Sequence, residues 1–122
     1  MGRHPLSSTR KGAANELIAA ARMMLLGYAV YFPIESTSLV DFVAQRGSRT
    51  LRCQVKTAHK YRGRTMVRTC AKKYPGGCFD RLIVVGPAGE VWCIPWKFAK
   101  TLETLTLLPE AKRYPSKKWR LA

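Results

Sequence analysis

The segment Leu39-Val40-Asp41-Phe42-Val43-Ala44-Gln45, the turn Arg46-Gly47-Ser48-Arg49 and the segment 50–57 constrain the fold of this chain more than any other stretch. Two apolar and β-branched runs joined by a short glycine-containing turn predict an antiparallel hairpin. The first run holds Asp41, a residue type that strands disfavour. Its apolar neighbours on both sides predict burial of both faces. The second run reads Leu51-Arg52-Cys53-Gln54-Val55-Lys56-Thr57. Side chains alternate along a strand, so Gln54 and Lys56 share one face while Leu51, Cys53 and Val55 take the other. Antiparallel pairing then brings Asp41 toward the Gln54 and Lys56 end.

Around this hairpin the chain reads as one domain, residues 1–122, with a polar arm at 1–9 and a basic tail at 109–122. Ser8 or Thr9 is expected to cap a helix running to about Leu26. Leu17, Ala20, Ala21, Met24 and Leu25 have the spacing of its buried face, and Gly27 ends it. Further strands are expected at 28–34, 65–71, 81–85 and 90–95, a basic loop at 59–64 and a short helix within 96–105. This order predicts an α/β (mixed α+β) layer architecture. With one long helix and no paired-cysteine spacing, helix-turn-helix and zinc-finger folds are excluded.

Lys and Arg number 22 against 7 for Asp and Glu, a net charge of +15. A small domain usually carries about 2 to 8 charges in magnitude, so the excess points to a polyanion, with nucleic acid first. A membrane partner is not expected. The longest apolar run, 23–34, contains Gly27 and Pro33 and falls short of the about 20 residues that a span needs. No apolar signal segment follows the N-terminus, which predicts an intracellular, cytoplasmic protein. Candidate DNA-binding residues are Arg10 and Lys11, then His59, Lys60, Arg62 and Arg64, then Lys117 and Lys118 in the tail. Arg10 and Lys11 oppose the dipole at a helix N-terminus, and a bound phosphate would relieve that cost.

In so basic a chain the carboxylates carry the chemistry. Asp80, ahead of an apolar strand, reads as a strand anchor, and Glu35 as a turn residue. Glu16 lies at the border of the helix's apolar face and can project toward Asp41. Glu16, Asp41 and the Gln54 amide oxygen are hard ligands that suit Mg²⁺, with Mn²⁺ as a substitute. Lys56 beside such an ion can orient a water or stabilise developing charge. Inside a polyanion-binding surface, this set predicts phosphodiester hydrolysis, with Glu16, Asp41, Gln54 and Lys56 as its catalytic residues.

The order Glu16, then Asp41, then Gln54-Val55-Lys56 resembles the PD-(D/E)XK nucleases. It is most similar to the small intron-encoded homing endonucleases of that superfamily, in which Gln replaces the second acid. Arg10-Lys11-Gly12 with Glu16 gives a more distant resemblance to the archaeal Holliday junction resolvases. The likeness spans about residues 10–105. It includes Val67-Arg68-Thr69-Cys70, Phe79-Asp80 and Val91-Trp92-Cys93-Ile94-Pro95. Val40 stands at the motif's Pro and Gln54 at its (D/E) position, one charge fewer for the metal. The resemblance implies a restriction-endonuclease-like core, with the N-terminal helix on a mixed sheet of about three or four strands and a second short helix. It also implies Mg²⁺-dependent double-strand cleavage of a specific DNA site by a homo-oligomer, dimer or tetramer, because one subunit holds one site. The apolar segment 102–108, near Trp119, is the expected contact surface. Two alternatives are a Holliday junction resolvase and a non-catalytic basic nucleic-acid-binding protein. The second explains the charge but not Asp41, Gln54 and Lys56.

Overall fold

The computed structural model describes residues 7–35 and 37–121, so most of the expected polar arm lies outside the described residues. Along the chain run α1 (Ser8–Leu25), β1 (Ala29–Tyr31), β2 (Phe42–Arg46), β3 (Arg49–Thr57), β4 (His59–Tyr61) and β5 (Arg64–Arg68). After them come β6 (Arg81–Val85), β7 (Val91–Pro95), α2 (Trp96–Ala99), β8 (Thr104–Leu108) and α3 (Ser116–Trp119). A five-stranded mixed sheet has the order β1-β2-β3-β6-β7, with β3 and β6 parallel and the other pairs antiparallel. A second, antiparallel sheet has the order β4-β5-β8. No helix among the described residues is long and apolar enough to cross a membrane.

The large sheet is covered on both faces. Against one face α1 buries Ala19, Ala20 and Met23 over Phe42, Ala44, Leu51, Cys53, Ile83 and Val85. Against the other, Val67, Leu105 and Leu107 of the second sheet and Trp96 of α2 pack on Leu82, Val84, Trp92 and Ile94. β6 is central and covered twice, so Leu82, Ile83, Val84 and Val85 are all fully buried, as a continuous apolar strand requires. The β2–β3 hairpin forms in the expected register, closing at Arg46 opposite Arg49 around Gly47 at φ +60°.

Several expectations are corrected. Ser7, not Ser8 or Thr9, caps α1, accepting from the Arg10 N–H at 3.2 Å. The helix's most apolar stripe points outward: Leu17, Met24 and Leu25 are 62%, 61% and 83% exposed. The face against the sheet carries Ala19, Ala20 and Met23, so of the expected buried residues only Ala20 is buried. The strands expected at 28–34 and 39–45 shorten to β1 and β2, because the chain leaves the sheet after Tyr31 and rejoins it only at Phe42. The basic loop at 59–64 is a two-residue hairpin, with Arg62 and Gly63 both at positive φ. Of the helix expected at 96–105, α2 keeps only Trp96–Ala99. The alternation Thr104-Leu105-Thr106-Leu107 makes a strand that buries both leucines completely. The segment 102–108 is therefore core, not a free contact surface. The basic tail folds back, with the Trp119 ring stacked at 5.9 Å on Tyr114 and the Leu121 N–H bonded to Val91 O.

Candidate active site

The site lies where β2 parts from β3. The last ladder pair is Phe42 opposite Cys53, and the Asp41 N–H still reaches Cys53 O at 2.9 Å. Beyond it the Val55 N–H has lost its strand partner. The Asp41 carboxylate takes that place, accepting from Val55 N at 2.7 Å. Asp41 is thus a strand-end residue, not a strand-interior one, and its side chain continues the ladder that its backbone abandons.

The gap between the strands, closed over by the first half of α1, is a cleft of about 570 Å³. Glu16, Asp41 and Gln54 all line it. Gly12 and Ala13 precede Glu16 on the same helix face, and their small side chains leave the space open. Glu35, exposed, stands at the rim. The Glu16 carboxyl is pushed up from 4.5 to about 7, first by burial and then by a hydrogen bond to Asp41 and that residue's negative charge. A second carboxyl group beside Glu16 disfavours its charged form.

Gln54 is 9% exposed and its Oε1 has no hydrogen-bond partner among the described residues. Such a buried acceptor costs about 1–3 kcal/mol if nothing meets it. Among the described residues no three His, Cys, Asp or Glu side chains converge. The Gln54 amide supplies a further side-chain oxygen among the residues that line this cleft. Two carboxyl groups and an orphaned carbonyl oxygen at one cleft fit a hard divalent cation.

Lys56 shares the Gln54 face of β3, as the alternation predicts. It does not line the cleft wall. Its ammonium donates to the Tyr74 phenol oxygen at 2.8 Å, and Gln54 Nε2 donates to the same oxygen at 3.5 Å. Tyr74 carries no signal in the sequence, since it sits in the loop Lys72-Lys73-Tyr74-Pro75 that no periodicity places. Asp80 does anchor the sheet. It accepts from Arg52 Nε at 3.0 Å, Arg52 Nη2 at 3.2 Å and the Arg52 N–H at 2.8 Å, and the guanidinium holds its carboxyl below the usual range.

The basic residues divide into two groups. Lys11, His59 and Lys60 line one hollow of about 370 Å³ with Asn15 and Thr57, the neighbours of Glu16 and Lys56 in the chain. Asn15 Nδ2 donates to Thr57 Oγ1 there at 2.7 Å, tying α1 to the end of β3. Arg10 is exposed in the first turn of α1. Arg62 and Arg64 are exposed on the β4–β5 hairpin, with the Arg62 guanidinium 5.3 Å from the Tyr61 ring centre. Lys117 and Lys118 are not brought to the cleft. They lie on α3, and Lys117 lines a separate hollow with Arg22, at the other end of α1, and with Glu90 and Glu110.

Protein 5.3 of Escherichia phage T7 is 36% identical over 81 residues, covering 61% of this chain and 69% of that protein. The solved structure of the bacterial homing endonuclease I-Ssp6803I matches with a TM-score of 0.78. The match covers 93% of this chain and 86% of that one at 21% identity, a likeness of fold. The profile of the PD-(D/E)XK endonucleases matches residues 6–79, a stretch that contains Glu16, Asp41, Gln54 and Lys56. The chain belongs to the PD-(D/E)XK endonuclease family.

Proposed function

We propose that the chain is a divalent-metal-dependent endonuclease that cuts both strands of duplex DNA at a specific site, in the manner of a homing endonuclease. One observation carries the reading: Glu16, Asp41 and Gln54, whose Oε1 has no partner among the described residues, line one cleft in a protein of net charge +15. These three side chains would hold Mg²⁺, or Mn²⁺ in its place. The ion would supply Lewis-acid activation at the phosphate and lower the pKa of a water. Lys56 would stabilise charge that develops on the phosphate.

The surface around the cleft suits DNA. Lys11 and Lys60 stand beside it, and β4 with Arg62 and Arg64 forms an exposed basic ribbon of a size the major groove admits. Two-strand cleavage calls for two copies. Leu17, Ile18, Met24 and Leu25 are exposed together on α1. An apolar patch of this kind lets two strongly positive copies meet without opposing like charges. The reading is tested on supercoiled plasmid, linear duplex and a four-way junction, each with Mg²⁺ and with EDTA. Linearised plasmid in Mg²⁺ alone is expected. Cleavage confined to the junction would indicate a resolvase, and binding without cleavage a non-catalytic protein.

A further inference from the structure

The two polar side chains that β3 points toward Tyr74 end on one atom. Lys56 Nζ and Gln54 Nε2 both donate to the Tyr74 phenol oxygen, at 2.8 and 3.5 Å. The ring that carries this oxygen is held edge-on by Phe79, centroid to centroid 4.9 Å, and by Trp96 at 6.0 Å. Both neighbours are buried, so the oxygen has a fixed position. The ammonium sits 5.2 Å from the ring centre because it rests on the hydroxyl, so the phenol oxygen rather than the π face receives it.

The consequence lies in the difference between an amide and a carboxylate. A carboxylate presents an oxygen whichever way it is turned. An amide has one end that accepts and one that donates, and the donating end turned toward a cation would repel it. A chain with Gln at this position therefore has to fix the amide's orientation. An ammonium can only donate, so the phenol oxygen must accept from Lys56. It accepts from the amide nitrogen as well, and Oε1 of Gln54, a residue that lines the cleft, is left without a partner among the described residues.

We infer that Tyr74 is a positioning residue that holds the Gln54 amide with its nitrogen inward and its oxygen toward the metal side of the cleft. The inference rests on the metal-dependent reading above. Without the hydroxyl, the buried amide nitrogen loses its acceptor. The amide can recover one by turning its NH₂ toward the Asp41 and Glu16 carboxyl groups, which removes its oxygen from the cation. Tyr74→Phe keeps the ring contacts to Phe79 and Trp96.

The test is calorimetric titration of Mn²⁺ into the full metal-free chain, with no DNA present. The four proteins are wild type, Tyr74→Phe, Gln54→Glu and the double variant, each checked by urea unfolding. Tyr74→Phe is expected to weaken Mn²⁺ binding by about tenfold or more, the usual cost of losing a partner that orients a ligand. In the Gln54→Glu background the same substitution is expected to change affinity by less than about twofold, because a carboxylate needs no orienting. The double variant also shows that the substitution does not damage the fold. An unchanged affinity in Tyr74→Phe overturns the inference, as does an equal loss in both backgrounds, which would mark Tyr74 as a general support. A wild type that binds no Mn²⁺ overturns the metal reading itself, and Tyr74's role with it. Binding by wild type with an indifferent Tyr74→Phe leaves that reading standing.

Discussion

The Asp41 carboxylate accepts the backbone N–H of Val55 at 2.7 Å, and Val55 is the residue between Gln54 and Lys56. This one hydrogen bond ties the end of β2 to the part of β3 that carries the remaining polar side chains. It occupies one carboxylate oxygen and leaves the other for the cleft. Gln54 and Lys56 then differ in what they face: Gln54 lines the cleft, while the Lys56 ammonium rests on Tyr74.

Lys56→Ala is expected to slow single-turnover cleavage by about 10² to 10³, the usual effect of removing a positioned charge stabiliser. Stability should change little, because the ammonium meets only the Tyr74 hydroxyl and the Tyr74 ring keeps its contacts to Phe79 and Trp96. Parallel measurements of cleavage rate and urea midpoint check this. A rate within a few-fold of wild type would make Lys56 an ordinary surface lysine.

The Glu16 carboxyl, raised from 4.5 to about 7, gives metal-free protein a definite pH dependence. Between these values the folded chain holds a proton that the unfolded chain has released. The contribution to stability is therefore fully present below about 4.5 and is lost as pH rises through about 7. In EDTA, the urea midpoint of wild type should fall between pH 5 and pH 8 more steeply than that of Glu16→Gln. Identical slopes would show that burial and Asp41 do not perturb Glu16.

DNA binding should be strongly salt-dependent, with a log–log slope near −5 if each subunit neutralises about six phosphates. The Lys11→Ala/Lys60→Ala pair should reduce the slope's magnitude by about two, because both side chains line the hollow beside the cleft. The Lys117→Ala/Lys118→Ala pair should reduce it less, since Lys117 lies with Glu90 and Glu110 at the far end of α1. Fluorescence anisotropy between about 50 and 200 mM salt distinguishes the two pairs.

Light scattering at micromolar concentration should find wild type as a symmetric oligomer and Leu17→Glu/Met24→Glu as a monomer. Both positions are more than half exposed in the single chain, so the substitutions leave the core intact. An assembled variant would move the interface off α1. A monomeric wild type, with DNA present, would leave a nickase.

The hairpin, its register and the shared face of Gln54 and Lys56 could be read from the sequence because period-2 alternation and a glycine turn are local signals. The inward face of α1 could be read only at Ala20. Periodicity selects Leu17, Ala20, Ala21, Met24 and Leu25, whereas packing buries Ala19, Ala20 and Met23. The charges of 59–64 masked a strand pair, because an exposed ribbon needs no apolar face. Tyr74 could not be found at all. Its place depends on a loop held by aromatic contacts to Phe79 and Trp96 and by hydrogen bonds from Gln54 and Lys56, none of which local periodicity reveals.

If the Asp41 carboxylate holds the proposed catalytic cation, Asp41→Asn removes a ligand of that cation. The substituted amide can still accept from the Val55 N–H, so the fold is retained while one charge is lost. The measurement is plasmid cleavage in Mg²⁺ by the variant, alongside its affinity for the same DNA. Cleavage at background is expected, with DNA binding equal to wild type or tighter, since a negative charge near the phosphate is gone. Undiminished nicking by Asp41→Asn would contradict it.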